Sequence, residues 1–278
     1  MKGSSFDVLK HGSVTKTKVH EKKRAKKKYH HVTPMVIEND ETISLYFDST
    51  AVQSTMLLDD PYVLTLGYTR TMMGFLLFNS NPRRISMIGL GGGSLAKYCY
   101  RHLPDTEIVV IEINPEVIAL RDRFSIPTDD QRFQILCDDA AHYVKVKSQR
   151  PDVLIVDGYD VDGLPEELGS RAFYQACYRH LSDDGMLVMN LITDDPDFHR
   201  YLSALRGIFA DAITLVPSED SDSNVTVFAW KGAQRLPSLA DMLDRARTLA
   251  SGHTVNLHAT ATRIEYGKRF NWKRYDQR

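Results

Sequence analysis

Cysteine is scarce in this sequence, three residues in 278, and the three stand far apart. Cys99, Cys137 and Cys177 sit among apolar neighbours, which predicts reduced buried thiols in a cytoplasmic protein and argues against a disulfide frame or a metal site. Long apolar runs are missing too. None reaches the roughly 18 residues a membrane helix needs, so no membrane partner is expected. The polar start Met1-Lys2-Gly3-Ser4-Ser5 lacks the apolar stretch of a signal peptide. No pair among the ten histidines has helical metal-ligand spacing with a third ligand nearby, so no metal is expected. There is no Gly-x-Ser-x-Gly elbow and no P-loop. Net charge is nearly absent, 35 Lys and Arg against 36 Asp and Glu, which excludes a chain built as a whole to bind polyanions. The two tryptophans, Trp230 and Trp272, read as packing residues.

What charge there is lies unevenly. Lys16, Lys18, Lys22, Lys23, Arg24, Lys26, Lys27 and Lys28 crowd the first 33 residues, which show almost no apolar periodicity. Residues 1–33 therefore read as a basic disordered tail, with nucleic acid as the functional partner and a solubilising arm as the commoner fate of such runs. A second basic group, Lys268, Arg269, Lys273, Arg274 and Arg278, ends the chain, so 233–278 reads as a C-terminal helix with a basic tail.

Between these ends the pattern is that of an α/β protein. Residues 34–60 alternate as short strands about the polar turn Glu38-Asn39-Asp40-Glu41 and form a small N-terminal β-lobe. Tyr62–Phe78 has helical spacing. Within 61–232, strands are expected at 85–89, 107–112, 132–136, 152–157 and 185–191, with helices at about 94–102, 115–123, 139–147 and 170–181. Strand and helix in strict alternation require parallel strands and right-handed crossovers. A helix near 196–209 and an antiparallel pair, Ala212–Val216 with Asn224–Trp230, complete seven strands. That is the layout of the Rossmann-like AdoMet-dependent methyltransferase fold. A second strand–Gly-turn–helix half, as a nicotinamide-binding repeat needs, is absent.

The chemistry collects at strand ends. Met87-Ile88-Gly89-Leu90-Gly91-Gly92-Gly93-Ser94 is a glycine turn leaving a strand, and Glu112 ends the next strand about twenty residues on. Glycines there relieve the bar on positive φ and on close backbone approach, and the acid is placed for ribose hydroxyls. Of Asp138 and Asp139, after the third strand, one should cap the next helix and the other accept from an adenine amino group; Asp139 is the choice for adenine. Asp157 and Asp160 close the fourth strand, placed to stabilise a sulfonium or take a proton from an attacking amine.

Together these residues resemble the spermidine synthase or polyamine aminopropyltransferase family. The resemblance covers about residues 43–231 and rests on Ile88–Ser94, Val110–Val117, Cys137–Ala140, Asp157–Leu168, Arg171-Ala172-Phe173-Tyr174 and Leu181–Val188. Phe47-Asp48…Gln53 is similar to its Leu-Asp-Gly…Gln strand pair. The resemblance implies a transferase of polyamine biosynthesis that moves an aminopropyl group from decarboxylated AdoMet to an amine and leaves methylthioadenosine. Gly89, Gly91, Gly92, Gly93, Glu112, Asp138, Asp139 and Gln53 would hold the nucleoside, Asp157 and Asp160 would act on the amine, and Tyr68 and Tyr159 would face the substrate. It also implies a homodimer. Four departures concern the amine: Gly92 stands where the family has an aspartate, the Asp-Ser-Ser-Asp-Pro motif is reduced to Asp157-Gly158-Tyr159-Asp160-Val161, Tyr68-Thr69 replaces a Tyr-His or Tyr-Gln pair, and Pro217-Ser218-Glu219-Asp220-Ser221 replaces a Pro-Ser-Gly segment with an aromatic contact. Asp160, Asp162, Glu166 or Glu219 are candidates to supply the missing acid. Two further readings stay open: a methyltransferase using intact AdoMet on the same scaffold, and a non-catalytic nucleoside- or partner-binding protein.

Overall fold

A computed structural model of the chain describes residues 32–48, 52–146, 149–221, 223–232 and 236–268. The basic run Lys16–Lys28, the pair His30-His31, Trp272 and the C-terminal basic residues beyond Lys268 lie outside the described residues.

Two sheets organise the rest. The smaller is antiparallel, made of β1 (Met35–Glu38), β2 (Thr42–Tyr46) and β3 (Val52–Leu57), with β2 in the middle. The Asn39 carboxamide oxygen accepts from the Glu41 and Thr42 N–H groups and so closes the polar turn between β1 and β2. Alternation sends Ile43, Leu45 and Met56 into the core and leaves Met35, Ile37 and Val52 exposed on the other face.

The larger sheet holds seven strands: β4 (Arg84–Ile88), β5 (Glu107–Glu112), β6 (Phe133–Cys137), β7 (Val153–Val156), β8 (Met186–Ile192), β9 (Ile213–Pro217) and β10 (Asn224–Trp230). They run in the order β6-β5-β4-β7-β8-β10-β9. The first five are parallel, and β10 is antiparallel to both β8 and β9. The expected terminal hairpin is therefore present, with β10 inserted beside β8 and β9 at the edge. Order reverses beside β4, so the β4–β7 boundary is a switch point at which such sheets open a crevice.

The helices are α1 (Gly67–Met72), α2 (Ser94–His102), α3 (Pro115–Ala119), α4 (Ala140–Val146), α5 (Arg171–His180), α6 (Phe198–Ile208), α7 (Leu239–Leu249) and α8 (Leu257–Lys268). Their local signals are physical ones. Asn114 caps α3, with Pro115 at its first position, Ser170 caps α5 through the Phe173 N–H, and Ser238 and Asp241 form a reciprocal capping box on α7.

Three elements differ from expectation. Only the latter part of Tyr62–Phe78 is helical: α1 is followed by a 3-10 turn over Met73–Leu77. The preceding stretch stays irregular because Arg70 Nη1 captures the Leu64 and Thr65 carbonyls, at 2.9 and 2.7 Å, before the helix begins. α3 stops at Ala119 because the next turn tightens, with Leu120 and Arg121 donating to Val117 and Ile118 three residues back. The C-terminal segment carries two helices, α7 and α8, broken at Ser251-Gly252. A fourth correction concerns a thiol. Cys99 and Cys177 are buried, but Cys137, at the exit of β6, is exposed. Among the described residues no helix is long and apolar enough to cross a membrane, and no cluster of three or more metal-binding side chains occurs.

Candidate active site

The site forms where β4, β5, β6 and β7 end side by side. Backbone bonds tie these ends together. The Gly89 N–H donates to Ile111 O, the Asp138 N–H to Glu112 O, and the Asp157 N–H to Ile88 O. Gly89 is left-handed, φ 91°, and a Cβ there would lie 2.1 Å from the Asp157 carbonyl oxygen. Gly91 and Gly93 are left-handed as well. Gly92 is not, which corrects the expectation for that residue: its requirement is space. A Cβ on Gly92 would stand 2.6 Å from Ser54 Oγ and 2.8 Å from the Phe124 ring. Ser54 Oγ also meets Ser94 Oγ at 3.2 Å. The space a side chain at position 92 would enter is thus filled by Ser54 of β3 and by Phe124 of the loop after α3.

Glu112 is buried, and its carboxylate reaches back to the turn. Oε2 accepts the Leu90 N–H at 2.9 Å and Oε1 the Asn114 N–H at 2.8 Å. Asp139, half-buried, takes the capping role at α4 that the sequence reading left to Asp138: its Oδ1 accepts the Ala141 N–H at 2.7 Å. Asp138 Oδ1 accepts the Asp139 N–H at 2.8 Å and lies 3.3 Å from His142 Nδ1. Gln53 is half-exposed in β3, beside the Ser54 that fills the glycine turn.

Around Asp157 the structure builds a polar chain inside an apolar wall. Tyr68 donates its hydroxyl to the Asp157 carboxylate. Asn190, in β8, donates Nδ2 to Asp157 Oδ1 at 3.0 Å, and its own Oδ1 accepts from Asn224 at 3.2 Å. Tyr159 donates to Asn190 O at 3.3 Å and accepts the Ile192 N–H at 3.1 Å. Desolvation raises the Asp157 pKa above the usual carboxylate range, while the bonds from Asn190 and Tyr68 hold it back. Burial and the neighbouring Asp157 charge push the Tyr68 and Tyr159 phenols up, so both stay protonated donors. Asp160 stands apart from this network. It is exposed in a tight turn closed with Gly163, and its Oδ1 accepts the Asp162 N–H at 2.8 Å.

The structure therefore gathers Gly89–Gly93, Glu112, Asp138, Asp139, Asp157, Tyr68 and Tyr159 along one sheet edge. Asn190 and Asn224 escaped the sequence reading. The available signal was a lone amide in the otherwise apolar strand Met186–Ile192.

Comparison with known proteins identifies the family. Residues 65–215 match the spermine/spermidine synthase domain family. The polyamine aminopropyltransferase of Neisseria meningitidis serogroup A is 34% identical over 242 residues, covering 86% of this chain and 92% of that protein. A probable spermidine synthase from Corynebacterium glutamicum superposes with a TM-score of 0.64 at 18% identity, over 83% of this chain and 91% of the other. A spermidine synthase solved with the transition-state analogue AdoDATO gives 0.59 at 20% identity, over 83% of this chain and 84% of the other. The seven-stranded fold, the glycine turn with its strand-end acids and the extent of these matches place the chain in the spermine/spermidine synthase family of transferases.

Proposed function

We propose that this protein transfers an aminopropyl group from decarboxylated AdoMet to a primary amine, with Asp157 as the base. The observation that carries the reading is the Tyr68–Asp157–Asn190 arrangement at the β7 end, one backbone contact from the glycine turn. A primary amine, with a pKa of about 10.4 by analogy with lysine, is protonated at neutral pH and cannot attack carbon. A carboxylate made more basic by burial takes that proton. The nitrogen lone pair then forms the C–N bond while the C–S bond breaks, its electrons returning to sulfur. Sulfonium becomes the neutral thioether of methylthioadenosine.

The same proposal covers the nucleoside half. Glu112 holds the ribose, Asp139 and Asp138 serve the adenine side, Gly89–Gly93 let backbone approach the sulfonium end, Gln53 contacts the nucleoside and Tyr159 faces the substrate. The AdoDATO complex of the similar spermidine synthase supports decarboxylated AdoMet as donor. Pairing of two copies through the exposed Met35, Ile37 and Val52 face belongs to the same proposal.

The test is calorimetric titration with decarboxylated AdoMet, AdoMet and methylthioadenosine, followed by product analysis with putrescine. Decarboxylated AdoMet and methylthioadenosine should bind, and amine should yield methylthioadenosine in equal moles to product. Binding of intact AdoMet alone would make methyl transfer the reaction instead.

A further inference from the structure

The turn after β9 carries two acids, Glu219 and Asp220, where the family resemblance places an amine contact. Both are engaged by the protein itself. Glu219 Oε2 takes Arg70 Nε at 2.7 Å, and its Oε1 takes Arg263 Nη2, from α8, at 2.8 Å. Asp220 Oδ2 accepts the Gly67 N–H at 2.8 Å and lies 3.4 Å from Arg70 Nη2; its Oδ1 accepts from Ser218 at 3.0 Å. Gly67 is the first residue of α1, and a Cβ there would sit 2.0 Å from Asp220 Oδ1. Only glycine lets the carboxylate reach that N–H. The next residue is Tyr68, whose hydroxyl meets Asp157.

We propose that Asp220 is a positioning residue of the transfer reaction: by gripping the Gly67 N–H it fixes the first turn of α1, and with it the Tyr68 hydroxyl, against Asp157. The Glu219–Arg70–Arg263 bridge holds the turn in place for this grip. Neither acid receives the amine. The proposal rests on the functional reading above only for its kinetic readout.

The test uses the full chain with Asp220→Ala, Asp220→Asn, Tyr68→Phe and the double variant Asp220→Ala/Tyr68→Phe. Two quantities are read: the pH profile of kcat/KM, and the carboxyl NMR titration of Asp157 in the free protein, assigned by its loss in Asp157→Asn. A bond from Tyr68 lowers the Asp157 pKa, so slackening it moves the acid limb and the NMR midpoint to higher pH. Asp220→Ala should show that shift with kcat reduced about tenfold, the scale of one hydrogen bond to a charged group. Asp220→Asn keeps an oxygen for the Gly67 N–H and should restore both. In the Tyr68→Phe background, Asp220→Ala should add nothing. Should Asp220→Ala fold poorly, Gly67→Ala displaces the same carboxylate and should give the same shift. An Asp220→Ala protein with unmoved midpoint and raised amine KM would overturn the proposal, as would additive effects in the double variant. A wild-type protein without aminopropyl transfer defeats the functional reading alone, because the NMR midpoints are measured without turnover.

Discussion

In the proposed reaction Asp157 carries the proton transfer, and its setting decides its behaviour. Half-buried against β7 and β8, it gains basicity from lost hydration and keeps its orientation through Asn190. Asp157→Asn should lower kcat by about 10² to 10⁴, the range for a missing general base, with donor binding little changed. Because its pKa is raised, activity should climb with pH through a midpoint above the ordinary carboxylate value, and Asn190→Leu should push that midpoint higher still. A steady-state pH profile checks both. In the same proposal Glu112 acts in binding. Glu112→Gln should weaken methylthioadenosine about ten- to hundredfold in calorimetry, the worth of hydrogen bonds to a charged acceptor, with kcat at saturation less affected.

At the scale of elements, the glycine turn carries no acid and is closely packed at Gly92. β3 brings Ser54, and the loop after α3 brings Phe124, into the space that a side chain at position 92 would occupy. Gly92→Asp should therefore fail to restore an amine contact and should cost about 1–3 kcal/mol through overpacking, visible as a lower Tm without a lower amine KM. The elements themselves were largely legible. Parallel strands buried on both faces read as unbroken apolar runs, so Ile108–Ile111 and Val153–Val156 announce themselves, and Asn114-Pro115 marks a helix start. The site was legible as far as it depends on strand ends: Gly89, Glu112 and Asp157 fall there by register. What stayed hidden depends on partners remote in sequence. Asn190 lies 33 residues from Asp157, and Asp220 153 residues from Gly67, and no local pattern links such pairs. The irregular entry to α1 was hidden for the same reason, since Glu219, from beyond β9, holds the Arg70 that sets it.

For the whole molecule, one buried charge stands out. Lys97, in the first half of α2, is fully buried; its Nζ donates to Phe124 O at 2.7 Å and to Met56 Sδ at 2.9 Å, and burial lowers its pKa to about 8. Its folded pKa lies below the unfolded value of 10.5, so the unfolded chain binds the extra proton between those limits. Lys97 therefore opposes folding most below about pH 8, and stability should rise as pH climbs from 8 toward 10.5. Lys97→Met should raise stability at pH 7 by about 3 kcal/mol at most and flatten that rise, as chemical denaturation across pH would show. Assembly is tested separately. Ile37→Asp places a charge on the exposed face of the small sheet; under the proposed pairing, light scattering should find the wild type dimeric and this variant monomeric with the fold intact.

The contact between Gly89 and the Asp157 carbonyl reaches further than packing. Whatever settles on the glycine bend leans on the same stretch of backbone that carries Asp157, so in the proposed reaction donor binding and the setting of the base are coupled. On that proposal entry should be ordered, sulfonium compound first and nucleophile second, as product-inhibition kinetics would show.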